Sequence, residues 1–197
     1  VLELGAGAGL VGLVAHWLGA MQVISTDGDE QVLTNLRRNI QRNTTTTTTT
    51  TTTNKNAIQC PQLIWGKESA ASFRELHGPS DVILGTDLFY MTKSLEPLFC
   101  TVDQLLTRDG IFVAVNTCAL QSPIETALEM AQRFGLDCTI TQKTTTDGNG
   151  STGLTPITTN DATTSSTTTG TTKDHRNHAP SDSTHTNENI FLFTRRK

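Results

Sequence analysis

A carboxylate and three alternating glycines near the start of the chain form a pattern that could bind a ligand. The sequence VLELGAGAGL places Glu3 in a short apolar run, followed by glycines at positions 5, 7 and 9 and then by an apolar helical segment. Alternating glycines let the backbone turn tightly and approach a ligand closely, and the first turn of a helix has free N–H groups. The pattern predicts a strand, a ligand-binding loop and a helix. A glycine-rich turn without a ligand is the alternative.

Two kinds of cofactor fit such a loop. The dinucleotide pattern G-x-G-x-x-G requires a third glycine where Leu10 stands, although Gly12 lies nearby, so this interpretation is weakened but stays open. The sequence ELGAGAG resembles instead the first motif of class I S-adenosylmethionine-dependent methyltransferases. The resemblance implies that the carboxylate and the three glycines lie at the methionine end of that cofactor: Glu3, Gly5, Gly7 and Gly9.

Two further carboxylates follow apolar runs that read as strands. Asp27 stands about twenty residues after the glycine loop, where adenosine-binding α/β folds place a carboxylate against the ribose hydroxyls. A simple helix cap is the alternative for Asp27, and Asp29 could provide that cap instead. Asp87 follows the buried run at residues 82–84. Because ligands of open α/β sheets bind at the carboxyl ends of the strands, we expect Glu3, Asp27 and Asp87 to converge on one crevice.

The elements that position these residues alternate between apolar runs and helical patterns, which predicts an α/β fold. We predict helices over residues 10–18, 30–43, 69–76, 95–106 and 123–134. We predict strands over residues 1–4, 21–26, 58–65, 82–84, 111–115, 136–142 and 189–194. No helical pattern separates the last two strands, so they should pair as an antiparallel hairpin. The predicted architecture is Rossmann-like and doubly wound, with a mostly parallel seven-stranded sheet and this C-terminal hairpin.

Two polar tracts interrupt the predicted domain. A threonine run lies within residues 44–56, and residues 144–188 are rich in Thr, Ser, Gly and Asn. Such segments bury too little apolar surface to offset the entropy lost on ordering, so we expect disordered insertions. The catalytic core is predicted at residues 1–143, with its last strand at 189–197. The chain begins at Val1 inside a core strand, so we expect it to be part of a longer protein.

Composition excludes several classes of protein. The 197-residue chain has a net charge of −4, which argues against a nonspecific nucleic-acid binder. Its four cysteines are far apart, and three of its histidines lie in the second polar tract, so we predict neither a disulfide scaffold nor a metal site. No run reaches transmembrane length. We therefore expect a monomer without membrane attachment, located in the cytoplasm or also in the nucleus.

Four segments together resemble one family, the seven-strand protein lysine methyltransferases. They are VLELGAGAGLVGL, STDGDEQVLTNLRRNI, LIWG at residues 63–66, and DLFY, which fits the D-x-x-Y pattern of that family with Asp87 and Tyr90. The resemblance implies S-adenosylmethionine as cofactor and a protein lysine as methyl acceptor. It places Asp27 at the ribose, Trp65 at the adenine, Thr86 at the adjoining wall, and Asp87 and Tyr90 at the acceptor opening.

The chemistry requires positioning more than covalent catalysis, because a sulfonium methyl group is already activated. We hypothesise that Asp87 accepts a hydrogen bond from the acceptor amine while Phe89 and Tyr90 shape the opening; a core tyrosine is the alternative for Tyr90. Three other functions stay open. They are methylation of a small molecule or nucleic acid, oxidoreduction with NAD, and a noncatalytic interaction module that retains the fold.

Overall fold

A computed structural model describes residues 1–44, 57–117, 123–145, 152–158 and 189–196. Its strands are β1 (Leu2–Leu4), β2 (Ile24–Ser25), β3 (Ser80–Thr86), β4 (Leu106–Asn116), β5 (Leu136–Thr145), β6 (Thr152–Thr158) and β7 (Asn189–Arg195). Its helices are α1 (Leu10–Trp17), α2 (Glu30–Thr44), α3 (Lys67–His77), α4 (Thr92–Leu105) and α5 (Ile124–Arg133). The strands form one mixed sheet in the order β2-β1-β3-β4-β7-β5-β6. The α/β, Rossmann-like prediction is thus confirmed.

The part of the sheet that comes first in the chain is parallel. Strand β1 lies between β2 and β3 and is parallel to both, and β3 is parallel to β4. Strand β7 runs antiparallel between β4 and β5. Because parallel strands end at the same edge, the loops after β1, β2 and β3 meet at one side of the sheet.

Strand alternation divides the buried side chains between two hydrophobic clusters. Leu2 and Leu4 belong to the larger cluster, which also contains residues of α3, α4 and α5. Leu13 of α1 packs in a smaller cluster with Leu33, Leu36 and Ile40 of α2. Two separate clusters are what a sheet covered by helices on both faces requires.

Several predicted elements differ in the structure. Residues 58–65 are not a strand: two isolated parallel bridges join them to Ile24 of β2, through Gln59, and to Asp27 just after β2, through Gln62. Pro61 stands between the two bridges and has no N–H to donate, so a continuous ladder is interrupted there. Helix α4 begins at Thr92, three residues earlier than predicted, so Pro97 lies inside the helix.

The second polar tract contains an element that the sequence did not indicate. Within residues 144–188, predicted to be disordered, Thr152–Thr158 forms strand β6, which pairs antiparallel with β5. This strand therefore stands between β5 and β7 along the chain. The remainder of that tract beyond residue 145, and the threonine run at residues 45–56, lie outside the described residues.

Helix α1 is buried over only part of its surface, although its sequence is largely apolar. Only Gly12 and Leu13 are buried, whereas Leu10, Trp17 and Leu18 are exposed. The helix contacts the sheet through a narrow face around Gly12. Among the described residues no helix is long and apolar enough to cross a bilayer.

Candidate active site

A cavity of about 500 Å³ opens where β1, β2 and β3 end. Pockets that bind small molecules are of this size. Six of the nine residues that the sequence predicted for the site line it: Gly5, Asp27, Trp65, Thr86, Asp87 and Tyr90. The other three predicted residues, Glu3, Gly7 and Gly9, are not among the lining residues. The cavity wall therefore unites the predicted cofactor-binding and acceptor-binding groups.

The glycine loop owes its shape to three left-handed residues. Gly5, Gly7 and Gly9 have φ values of +62°, +53° and +84°, a region that residues with a Cβ adopt at a cost. The Ala6 N–H donates to the Thr26 carbonyl oxygen at 2.8 Å, which ties the loop to the end of β2. Gly5 faces the cavity wall: a Cβ built on it would lie 2.9 Å from Leu88 Cδ2. The three glycines therefore serve the backbone turn, and Gly5 also allows the close approach of Leu88.

Glu3 is buried beneath this loop. Its carboxylate Oε2 accepts a hydrogen bond from the Gly12 N–H at 3.1 Å, and Gly12 lies in the first turn of α1, where backbone N–H groups have no partner within the helix. Burial raises the pKa of Glu3 above its usual value, while Ser25 and the Gly12 N–H act in the opposite direction. Glu3 thus supports the start of α1, and its predicted contact with the methionine end of a cofactor stays a prediction.

Asp27 joins the glycine loop to the start of α2. Its Oδ2 accepts from the Gly7 N–H at 3.1 Å, and its Oδ1 accepts from the Asp29 N–H at 3.0 Å. Asp29 provides the cap of α2, since its own Oδ1 accepts from the Gln31 N–H at 2.7 Å. Both carboxylates line the cavity. Asp29 therefore acts as the cap, the partly exposed Asp27 carboxylate lies at the cavity, and its predicted contact with a ribose stays a prediction.

Trp65 forms the wall next to Gly5. Its Cζ2 lies 3.5 Å from the position that a Cβ of Gly5 would occupy, so the glycine allows the indole ring to approach the loop. The Leu63 N–H donates to the Asp27 carbonyl oxygen at 3.0 Å and fixes this segment beside β2. Ile64 lines the cavity and is 59% exposed. This side of the cavity offers a flat apolar surface.

Asp87 stands at the end of β3 with its carboxylate tied to β4. Its φ is +52°, and its N–H donates to the Val115 carbonyl oxygen at 2.8 Å. Its Oδ1 accepts from the Thr117 N–H at 2.7 Å and lies 2.9 Å from the Thr117 hydroxyl. The acidic group that the sequence predicted for catalysis is therefore held by a residue that no motif indicated.

Phe89 and Tyr90 point in different directions. Tyr90 is 57% exposed and lines the cavity, so the alternative of a core tyrosine is wrong. The hypothesis that Phe89 shapes the opening is also wrong, because its ring is buried in the core. There it lies 5.5 Å from the Phe191 ring centroid and 6.0 Å from that of Phe99. Phe89 anchors the segment that presents Tyr90.

Sequence reasoning missed several lining or supporting residues: Ile64, Leu88, Ser94, Pro97 and Thr117. Ile64 and Leu88 lie next to the predicted site residues Trp65 and Asp87, and this adjacency was the available signal. Ser94 and Pro97 come from the start of α4, and Thr117 from the end of β4, where no motif points. Within the described residues, no group of three or more His, Cys, Asp and Glu side chains could hold a metal ion.

Known proteins resemble this chain in sequence and in fold. It is 41% identical over 113 residues to the protein-lysine methyltransferase METTL21E of Mus musculus, covering 57% of this chain and 43% of that protein. It is 35% identical over 111 residues to the histone-arginine methyltransferase METTL23 of Xenopus laevis, covering 55% and 42% respectively. The chain thus spans less than half the length of these curated relatives.

The fold is that of S-adenosylmethionine-dependent methyltransferases. The structure of magnesium protoporphyrin IX methyltransferase from Synechocystis, solved with bound S-adenosylmethionine, matches with a TM-score of 0.57 and 13% identity, over 98% of this chain and 68% of that one. The family model described as lysine methyltransferase matches residues 1–123, which include the glycine loop and every predicted site residue. This chain therefore belongs to the lysine methyltransferase family.

Proposed function

We propose that this protein binds S-adenosylmethionine and transfers its methyl group to a lysine side chain of a protein. One observation carries the proposal: a single cavity brings the Asp27 carboxylate and the Trp65 indole together with Asp87 and Tyr90. The first pair suits an adenosine, and the second pair borders an opening to solvent. Membership of the lysine methyltransferase family supports the same reaction.

The residues present fit an adenosine-containing cofactor. The indole of Trp65 offers a flat apolar face to an adenine, and Asp27 offers carboxylate oxygens to ribose hydroxyls. Gly5 has no side chain between the loop and the cavity. Thr86, at the end of β3, completes the wall between these groups and the acceptor opening. When bound, S-adenosylmethionine supplies a methyl group that is activated by its sulfonium charge.

The acceptor side has to deliver a lysine amine without its extra proton. At an ordinary pKa near 10.4, on the order of one lysine in two thousand is neutral at pH 7. Ile64, Leu88 and Tyr90 present apolar surface at the cavity, which disfavours the charged form of an entering amine. The proton of the amine leaves to solvent at the open side of the cavity, and Asp87 then accepts a hydrogen bond from a remaining N–H and so orients the lone pair. The residues work by desolvation and positioning, and no protein nucleophile is required.

We also propose the partners, the location and the sheet arrangement of the protein. We propose that it acts as a monomer on protein substrates and binds neither nucleic acid nor membranes, since its net charge is −4. The free thiols of Cys60 and Cys100 suit a reducing compartment, so we propose a cytoplasmic or nuclear location. For the fold, we propose a seven-stranded core, β1 to β7, with residues 58–65 lying beside β2 at its outer edge without adding a strand. The C-terminal hairpin of that core would be β5 with β7, which pair antiparallel.

Cofactor binding can be tested with the tryptophans of the chain. The sequence contains two, and Trp17 lies on the exposed face of α1 away from the cavity lining. In a Trp17→Phe variant, Trp65 is the remaining indole, and we expect its fluorescence to change on titration with S-adenosylmethionine. Asp27→Asn should weaken that binding at least about tenfold, the loss typical of a hydrogen bond to a charged group. NAD binding in place of S-adenosylmethionine would support an oxidoreductase instead.

Methyl transfer requires a separate assay. We would incubate the full chain with labelled cofactor and a cell extract, then digest the products with protease or nuclease and locate the label by mass spectrometry. A label on lysine supports the proposal, whereas a label on arginine, nucleic acid or a small molecule contradicts the assigned acceptor. Cofactor binding without transfer would indicate a noncatalytic module. Unchanged transfer by Asp87→Ala, with intact cofactor binding, would remove the role assigned to Asp87.

A further inference from the structure

The backbone at Asp87 is held in a conformation that favours glycine. In the described part of the chain, Asp87 is the one residue other than glycine with a positive φ, +52°. Aspartate tolerates this region better than most residues, but the conformation still has to be maintained by its surroundings. The Asp87 N–H meets the Val115 carbonyl oxygen on the neighbouring strand at 2.8 Å. This bond fixes the backbone and leaves the orientation of the carboxylate to other contacts.

Thr117 provides those contacts. It follows directly after β4, and β3 is paired with β4 up to Thr86 and Val115. The Thr117 N–H donates to Asp87 Oδ1 at 2.7 Å, and the Thr117 hydroxyl lies 2.9 Å from Oδ1 and 3.1 Å from Oδ2. Donors to an ionised carboxylate are among the stronger hydrogen-bonding groups in proteins. The backbone N–H of Thr117 therefore contacts Oδ1 of Asp87, and its hydroxyl lies within hydrogen-bond distance of both carboxylate oxygens.

We propose that Thr117 is a positioning residue that holds the Asp87 carboxylate toward the acceptor side of the cavity. This inference rests on the proposed methyl transfer. The hydroxyl carries one proton, so Thr117 donates at most two hydrogen bonds, whereas a carboxylate has about four acceptor sites. Acceptor capacity remains for an incoming amine. Without the hydroxyl, the carboxylate rotates more freely about its own side-chain bonds, and fewer encounters place the amine correctly.

A second Thr–Asp pair in the same two strands provides a matched control. The Thr107 hydroxyl donates to Asp81 Oδ1 at 3.0 Å. Asp81 lies near the start of β3 and Thr107 near the start of β4, at the edge of the sheet opposite the cavity. Five residues of β3 separate the two aspartates, which corresponds to roughly 20 Å along the strand. Loss of the Thr107 hydroxyl therefore shows how much such a hydrogen bond contributes to stability alone. An additional effect of losing the Thr117 hydroxyl can then be attributed to the reaction.

The experiment compares Thr117→Val, Thr117→Ser and Thr107→Val in the full chain. Valine keeps the branched shape and the backbone N–H but removes the hydroxyl, and serine restores the hydroxyl. We expect Thr117→Val to lower kcat about tenfold on the protein that takes up label in the cell extract, with the Kd for S-adenosylmethionine changed by less than about twofold. Thr117→Ser and Thr107→Val should keep kcat within about threefold of the parent. An unchanged kcat in Thr117→Val, or a loss of cofactor affinity equal to the loss of rate, would overturn the proposal.

A spectroscopic measurement separates this proposal from the proposed function. In the parent protein, the Thr117 amide proton should resonate downfield and exchange slowly, because it donates to a carboxylate. Both properties should be lost in Asp87→Ala and kept in an Asp81→Ala control. If the parent transfers methyl groups but its Thr117 amide does not respond to Asp87→Ala, only the positioning role is contradicted. If the amide responds but no methyl transfer occurs, the proposed function and the role of Thr117 in it both fail.

Discussion

Replacing Gly9 by alanine tests whether the last glycine of the loop is required by packing as well as by backbone conformation. Gly9 precedes α1 with a φ of +84°. A Cβ built on Gly9 would lie 2.3 Å from Leu36 Cδ1 and 3.8 Å from Ile40 Cδ1. Leu36 is fully buried between α1 and α2, so it can yield only by taking another rotamer inside a packed cluster. The substitution therefore meets two separate penalties.

The two penalties can be estimated and separated. An alanine at positive φ costs about 1–2 kcal/mol, and overpacking a core costs about 1–3 kcal/mol more. We therefore expect Gly9→Ala to lower the free energy of unfolding by about 3 kcal/mol. Gly135 is the matched control, because its φ is +69° and, apart from its two chain neighbours, no atom of the described residues lies within 4 Å of the position that a Cβ would occupy there. Gly135→Ala should show only the backbone penalty, about 1–2 kcal/mol.

Urea unfolding followed by circular dichroism measures both variants, and a Leu36→Val background isolates the contact. Valine lacks the Cδ1 atom that the new methyl group would meet, so Gly9→Ala should cost about as much as Gly135→Ala in that background. The reasoning is refuted if Gly9→Ala destabilises the wild-type chain no more than Gly135→Ala does. It is also refuted if Leu36→Val leaves the extra cost of Gly9→Ala unchanged.

Three further predictions follow from burial. Burial raises the pKa of Glu3, so ionisation of this carboxyl destabilises the folded state. The free energy of unfolding of Glu3→Gln, relative to that of the parent, should therefore rise as the pH increases above about 4.5. A difference in urea unfolding that does not depend on pH would contradict this. Phe89→Ala should lower the free energy of unfolding by about 3–5 kcal/mol, because its ring is buried. Tyr90→Ala should change that free energy by less than about 1 kcal/mol, because Tyr90 is exposed. Equal losses would contradict the assignment of Phe89 to the core. Burial raises the pKa of the Cys138 thiol to about 12, so iodoacetamide at pH 8 should leave it unmodified in the native protein and label it in urea, as read by mass spectrometry.

Sequence patterns predicted most of what positions the site, because strand ends and glycine spacing carry direct physical signals. The buried run before Asp87 had to be a central strand, and the parallel arrangement of β1, β2 and β3 then brought Asp27 and Asp87 to the same edge. Residues 58–65 were harder, since an apolar run around Pro61 fits a strand or an extended segment equally well. In the structure this segment pairs at two points only, with Ile24 and with Asp27, so it is not a continuous strand.

Local sequence could not decide the direction of side chains after a strand ends. In DLFY, the chain leaves β3 through the left-handed Asp87, so the strict alternation of the strand no longer applies. Phe89 turns into a cluster completed by Phe191 and Phe193, about a hundred residues further along the chain. That contact depends on β7 inserting beside β4, which only the three-dimensional structure reveals. The same holds for Thr117, whose partner lies on another strand.

The position of Glu3 follows from the alternation of side chains along β1. From this position Glu3 influences a ligand through the loop that follows the strand. Leu2 and Leu4 face the larger hydrophobic cluster, so Glu3 must face α1, where it meets the Gly12 N–H. The loop between Glu3 and Gly12 is held elsewhere by Asp27, through the Gly7 N–H, and by Asn39, whose side-chain amide donates to the Ala8 carbonyl oxygen at 3.1 Å. A ligand in the cavity therefore meets a loop whose position three side chains fix. A substitution at Glu3 should therefore affect ligand binding by shifting this loop. A neutral side chain that still accepts from the Gly12 N–H should retain the ligand affinity that an alanine at this position loses.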